Sequence, residues 1–146
     1  MPTAAKLAAA VLFAALAWFA SELIKPLFPE GSDVGRFSEI NAVIGAIAGW
    51  RVAGPRARTT LQGAVSYGLT TTIVMTVSAL FLHSFAVMIR QSLRKLYDGP
   101  VEAVAGVFEI MFHNFMMIAT PEVLGTILVG GMVAGLVTEW FGRNFR

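Results

Sequence analysis

Long apolar runs, broken by short polar intervals, set the layout of this chain. The first run goes from about Leu7 to Ile24, with Lys6 before it and Glu22 and Lys25 at its far end. It is long enough for one crossing of a hydrocarbon core about 30 Å thick. A secretory signal is the competing reading, with Lys6 as its basic start and Ala15-Leu16-Ala17 as a cleavage site. The run continues past that site into Leu23, Ile24 and Leu27, which favours an uncleaved anchor. Pro26, Pro29, Gly31 and Gly35 then rule out a continuing helix and predict a polar loop. The second run covers Ile40 to Gly54, starts near Phe37 and stops at Pro55.

Arg51, Arg56 and Arg58 mark the next interval. The third run starts around Leu61 and keeps a helical pattern to about Leu96, which is about 50 Å of helix at 1.5 Å per residue. That exceeds the hydrocarbon core, so its end with Arg90, Arg94 and Lys95 must reach headgroups or water. Tyr97-Asp98-Gly99-Pro100 supplies the chemistry of a chain reversal. Residues 101–119 are apolar but carry Glu102, Glu109, His113 and Asn114, as an amphipathic or partly inserted helix would. Thr120 and Pro121 break it, and Val123 to Phe141 form the last strong run. The pattern therefore predicts an all-α integral membrane protein. It has one domain over 1–146, about four transmembrane helices, and a fifth amphipathic helix at 101–119.

Composition strengthens that picture. Hydrophobic residues make up 56% and charged residues 14% of the 146 positions, whereas soluble domains are about 25% charged. So small a domain cannot bury that surplus, which makes the lipid bilayer its expected surroundings. The net charge is +2, and no basic block is dense enough for a nucleic-acid surface. There is no cysteine, so the chain has no thiolate metal site and no thiol redox chemistry of its own. With four crossings, Lys6, Arg51, Arg56, Arg58, Arg143 and Arg146 share one side. Lys25, Arg36, Arg90, Arg94 and Lys95 take the other, so the positive-inside rule tilts only weakly toward cytoplasmic termini.

Two small-xxx-small pairs, Gly45 with Gly49 and Gly131 with Gly135, would let helices approach closely. They serve packing within the chain or pairing with a second copy or a membrane partner equally well. Trp18, Trp50 and Trp140 stand near run ends, as interfacial anchors do. Met111, Met116 and Met117 suit flexible packing. Thr70, Thr71, Thr72 and Thr76 can bond to their own helix backbone or to a neighbour.

One polar constellation stands out. On a helix, Glu102, Glu109 and His113 fall within about 40° of one another, and His83, Arg90 and Arg94 share a face in the same way. Folding the two segments back about Tyr97–Pro100 sets Arg94 opposite Glu102, Arg90 opposite Glu109 and His83 opposite His113. Charges inside a membrane cost roughly 2.5–3.5 kcal/mol each on insertion scales and usually find partners. The plain reading is a ladder of pairs that holds a helical hairpin, and the sharper one is a polar site for ion or proton movement. His83, His113 and Glu109 could also hold a metal, and the two histidines a haem. No nucleophile with its base and no phosphate-binding loop is visible.

Several segments resemble the TrgA family of bacterial membrane proteins. They are Pro2-Thr3-Ala4-Ala5-Lys6-Leu7, Pro29-Glu30-Gly31, Gly45 to Trp50, Arg94-Lys95, Tyr97-Asp98-Gly99-Pro100, and Gly125-Thr126 to Glu139-Trp140. The similarity runs in order along essentially the whole chain, and Tyr-Asp-Gly-Pro with a glutamate two residues later is its most specific part. The family is associated with tellurium resistance, so the resemblance implies a multi-pass protein of a bacterial inner membrane linked to tellurite tolerance. It implies no catalytic, metal-ligating or cofactor-holding residue. The expectation is a non-enzymatic protein without a cofactor. A small oligomeric transporter or channel subunit for ions or oxyanions is the alternative, and a haem- or metal-binding redox subunit stands behind it.

Overall fold

The computed structural model describes residues 3–145 as five α-helices without strands. Pro2 and Arg146, which enter the sequence reading above, lie outside the described residues. The helices are α1 (Ala4–Ile24), α2 (Phe37–Ala48), α3 (Leu61–Leu93), α4 (Pro100–Ile118) and α5 (Pro121–Asn144). Local chemistry sets most ends. Threonine hydroxyls cap α1, α3 and α5, with Thr3, Thr60 and Thr120 accepting from the amides of Lys6, Gly63 and Val123. Pro100 and Pro121 open α4 and α5, where a missing N–H costs nothing. Pro26 tightens the end of α1 into the 3-10 turn Lys25–Leu27.

By length and apolarity four helices can cross a membrane: α1 with its 3-10 turn, α3, α4 and α5. This differs from the sequence expectation, which counted Ile40–Gly54 and made 101–119 the extra helix. The α-helical part of α2 is only 12 residues long. A wider π turn, Gly49–Ala53, and a 3-10 turn, Gly54–Arg56, prolong it.

Packing decides how these lengths are used. α2 and its continuation run antiparallel to α1 from Ser38 against Glu22 to Gly54 against Lys6. They therefore cover the same height as α1. Between those ends, Gly45 lies on the backbone of Phe13 and Gly49 on that of Ala9. α5 is antiparallel to both α1 and α3: Gly130 meets Leu16, Gly131 meets Thr72, and Gly135 meets Ala64 and Gly68. Both glycine pairs are thus spent on contacts inside the chain, where the absent Cβ lets backbones touch.

The result is an antiparallel bundle of α1, α2, the first half of α3, and α5, about 29 Å tall between the levels of Ala5 and Ile24. Ala9, Phe13, Ile44, Tyr67, Met75 and Ala134 fill its middle. At the far end Ile24, Ile118 and Val123 form a second cluster with Phe28, Phe37 and Leu80.

The second half of α3 continues past this bundle and is partnered there by α4. The hydrogen bond from Asn114 Nδ2 to Ser84 Oγ (3.4 Å) and the seat of Tyr97 on Gly106 fix an antiparallel register. α4 and α5 are both antiparallel to α3 and joined by Ala119-Thr120, so they follow one another along α3 instead of folding back. Both cannot cross one bilayer core side by side. Of the two, α5 belongs to the bundle and α4 to a hairpin that extends from it.

The ends also divide the charge. Lys6, Arg51, Arg56, Arg58 and Arg143 cluster at the end that carries both described termini, with Glu139 as the acidic residue there. Glu22, Glu30, Asp33, Glu39 and Glu122 share the opposite end with Lys25 and Arg36.

Candidate functional site

Where the hairpin leaves the bundle, the helices part around a cavity of about 410 Å³. That is the size range of small-molecule sites. The end of α1, the loop before α2, the middle of α3, and the junction of α4 with α5 enclose it. Most of its wall is apolar, from Ile24, Phe28, Phe37, Leu80, Met117 and Ile118. Into this wall the helices place a chain of polar groups. His83 Nε2 lies 2.8 Å from Asn41 Oδ1, the Asn41 amide donates to Ser21 Oγ (2.9 Å), and Ser21 donates to the carbonyl of Ala17 (2.6 Å). Because the Asn41 nitrogen is engaged with Ser21, its oxygen faces the imidazole and Nε2–H is the donor. Phe37 lies against the His83 ring at 4.8 Å between centroids and holds its plane.

Arg90 also lines the cavity, about two helical turns beyond His83 on the same face of α3. It is exposed and forms no ion pair or hydrogen bond among the described residues. Asp33 and Ser32, from the loop, Thr76, from α3, and Asn114, from α4, complete the polar part of the wall. A cationic fork beside an apolar, partly enclosed space can receive a small anion or the anionic head of an amphipathic molecule.

The sequence-derived ladder does not form. Arg90 and Glu109 make no ion pair, nor do Arg94 and Glu102, and His83 bonds Asn41 and not His113. The fold-back places the right heights opposite each other, but the helices face each other through different residues. Ser84 and Met88 on α3 and Gly106, Val107 and Asn114 on α4 fill the contact. The charged strips lie to one side of it, with Glu109 and His113 exposed. Glu102 turns back to accept from the amide of Asp98 (2.7 Å), satisfying a backbone donor in the turn before α4. The metal and haem readings lose their geometry, since His83 is engaged elsewhere. Among the described residues no group of three His, Asp or Glu side chains could hold a metal.

A second polar cluster, absent from the sequence reading, locks the basic end. Glu139 is 1% exposed. It accepts from the backbone N–H of Arg58 (2.8 Å) and from Arg143 Nε (2.8 Å). The Tyr67 hydroxyl lies between Glu139 Oε2 (3.2 Å) and the carbonyl of Gly135 (2.9 Å). Arg58 Nε donates in turn to the carbonyl of Gly142. These bonds tie the loop before α3 to the end of α5, so the cluster acts as a structural clasp. Its only trace in the sequence is a glutamate four residues before an arginine in an apolar run.

Asn41 and Ser21 were also missed as site residues. Each is a single small polar residue within an apolar run, and only the α1–α2 packing brings them together with His83. Compared with known proteins, the chain matches no family model and shows no significant similarity to a curated protein or to a solved structure.

Proposed function

We propose that this chain is a non-enzymatic, multi-pass protein of a bacterial inner membrane that binds a small anionic solute in the cavity and thereby contributes to tellurite tolerance. The observation that carries the binding reading is Arg90, a guanidinium without an ionic partner among the described residues, at the wall of a largely apolar cavity. The His83–Asn41–Ser21 chain adds a fixed donor. The link to tellurite comes from the resemblance to the TrgA family. The basic end bearing both described termini supports a cytoplasmic placement of that end.

The filled middle of the bundle, with Phe13, Ile44, Tyr67 and Met75, argues against conduction through a single chain. A channel would need a pathway between copies.

The test is survival and cellular tellurium content of a tellurite-sensitive host carrying the wild-type chain, Arg90→Ala or His83→Ala. Membrane levels of each protein are measured in parallel. Better survival with lower tellurium content, lost in both variants at normal protein levels, supports binding that leads to exclusion. Better survival that both variants retain removes the cavity from the function. No protection by the wild-type chain overturns the tellurite reading altogether.

A further inference from the structure

We propose that the α3–α4 hairpin is a second membrane contact. It occupies the leaflet opposite the termini from the acyl chains out to the headgroups, with one side facing lipid and the other facing the cavity and water. This rests on the surface of the hairpin alone and does not depend on what the cavity binds.

The two helices divide their surfaces in the same way. At 100° per residue, the exposed Val101, Val104, Phe108, Phe112, Phe115 and Met116 of α4 fall in a sector about 120° wide. Glu102, Glu109 and His113 occupy the next 40° or so, and the rest of α4 faces α3. On α3, the exposed Phe81, Leu82, Phe85, Ile89 and Leu93 fill a sector of similar width. His83, Arg90 and Arg94 form the adjacent strip. The helices are antiparallel and meet through Ser84 and Asn114. That geometry brings both apolar sectors to one side of the hairpin and both charged strips to the other. The loop carrying Ser32 and Asp33 covers part of the charged side, across the cavity.

The apolar side is too large to face water. Phe108 is 62% exposed, Phe112 68% and Val101 83%. The whole sector amounts to on the order of 1,000 Å², against largest apolar patches of about 300–600 Å² on soluble monomers. It is also continuous with the lipid-facing wall of the bundle. Val74, Val77, Phe81, Phe85, Ile89 and Leu93 form one exposed ridge along α3, with no charged residue interrupting it. A surface that begins as bilayer contact at Val74 continues as the same surface to Leu93.

Length permits this placement. The 33 residues of α3 span about 50 Å. A tilt of about 30°, within the usual range for membrane helices, fits that length into a bilayer about 40–45 Å thick with its headgroups. Arg94, Lys95 and Asp98 at the tip then sit at the water boundary, as charged residues at the end of an interfacial element do.

The native chain has no cysteine, so single cysteines can be placed in the full-length protein in lipid vesicles and labelled with an environment-sensitive fluorophore. The informative positions are Phe85→Cys and Phe112→Cys on the apolar side and Glu109→Cys on the charged side. All three replace exposed side chains. Ile73→Cys, on the exposed face of the bundle, is the lipid reference. Labels at 85 and 112 should be quenched several-fold more strongly by lipid-borne than by aqueous quenchers, like the label at 73, and the label at 109 the reverse. Strong aqueous quenching at 85 and 112 overturns the proposal by placing the hairpin in water. Protection from both quenchers, with disulfide-linked dimers of Phe112→Cys, overturns it in favour of a second copy.

Discussion

Gly45→Ala should destabilise the protein although alanine is the better helix former. The change adds one methyl group in the middle of α2. An ideal Cβ there would collide with the carbonyl oxygen of Phe13 and lie 2.9 Å from both Phe13 C and Ala17 Cβ. The first two are backbone atoms, which no rotamer change can move, so α2 must shift away from α1. Overpacking of this kind costs about 1–3 kcal/mol. The helix-propensity gain of alanine over glycine returns at most about 1 kcal/mol. The net expectation is a loss of about 1–2 kcal/mol, or a melting temperature lower by about 3–6 °C for a chain of this size.

Gly125→Ala is the matched control. It sits on α5 with nothing within 4 Å of its added methyl group, so it should be neutral or stabilising by up to about 1 kcal/mol. Thermal unfolding of the purified protein in one detergent, followed by tryptophan fluorescence, compares the two directly. A Gly45→Ala protein that melts at or above the wild-type temperature refutes the close α1–α2 approach. An equal loss in both variants shows that the measurement reports general glycine effects and not packing.

Three further outcomes are expected. Cysteines at 84 and 114 should form a disulfide readily, whereas a pair at 90 and 109 should not, because the charged strips lie beside the helix contact; gel mobility after oxidation distinguishes them. Glu139→Ala should lower stability by about 3 kcal/mol, since it strands the Arg58 amide and leaves Arg143 without its carboxylate, and thermal unfolding measures it. Asn41→Leu should cost about 1–3 kcal/mol by leaving His83 and Ser21 without their shared partner. Asn41→Asp should spare more stability than Asn41→Leu, since a carboxylate still accepts from His83 Nε2–H although it no longer donates to Ser21, and unfolding curves of the two variants decide this.

Much of the fold was legible in one dimension because lipid imposes simple rules on sequence. Backbone groups in a bilayer must bond within their own helix, so long apolar runs predict helices without knowledge of their partners. Proline and threonine punctuation then placed the ends, and Thr120-Pro121 and Tyr97–Pro100 are where the helices stop and reverse. The glycine pairs announced close packing, since only a missing side chain leaves room for a backbone.

What the runs could not say is which of them lie side by side. Length and apolarity make α4 look like α1, but only the contacts of α3 show that α4 and α5 succeed each other along it. The polar ladder failed for a related reason. Residue spacing sets the height of a side chain along a helix, and the roll of each helix about its axis is set by packing. Small differences in roll turned Arg90 toward the cavity and left Glu109 outside it. Asn41, Ser21 and His83, and likewise Arg58, Tyr67 and Glu139, come from segments far apart in the chain. Their hydrogen bonds exist only once the bundle has closed, so these sites were decided by tertiary structure alone.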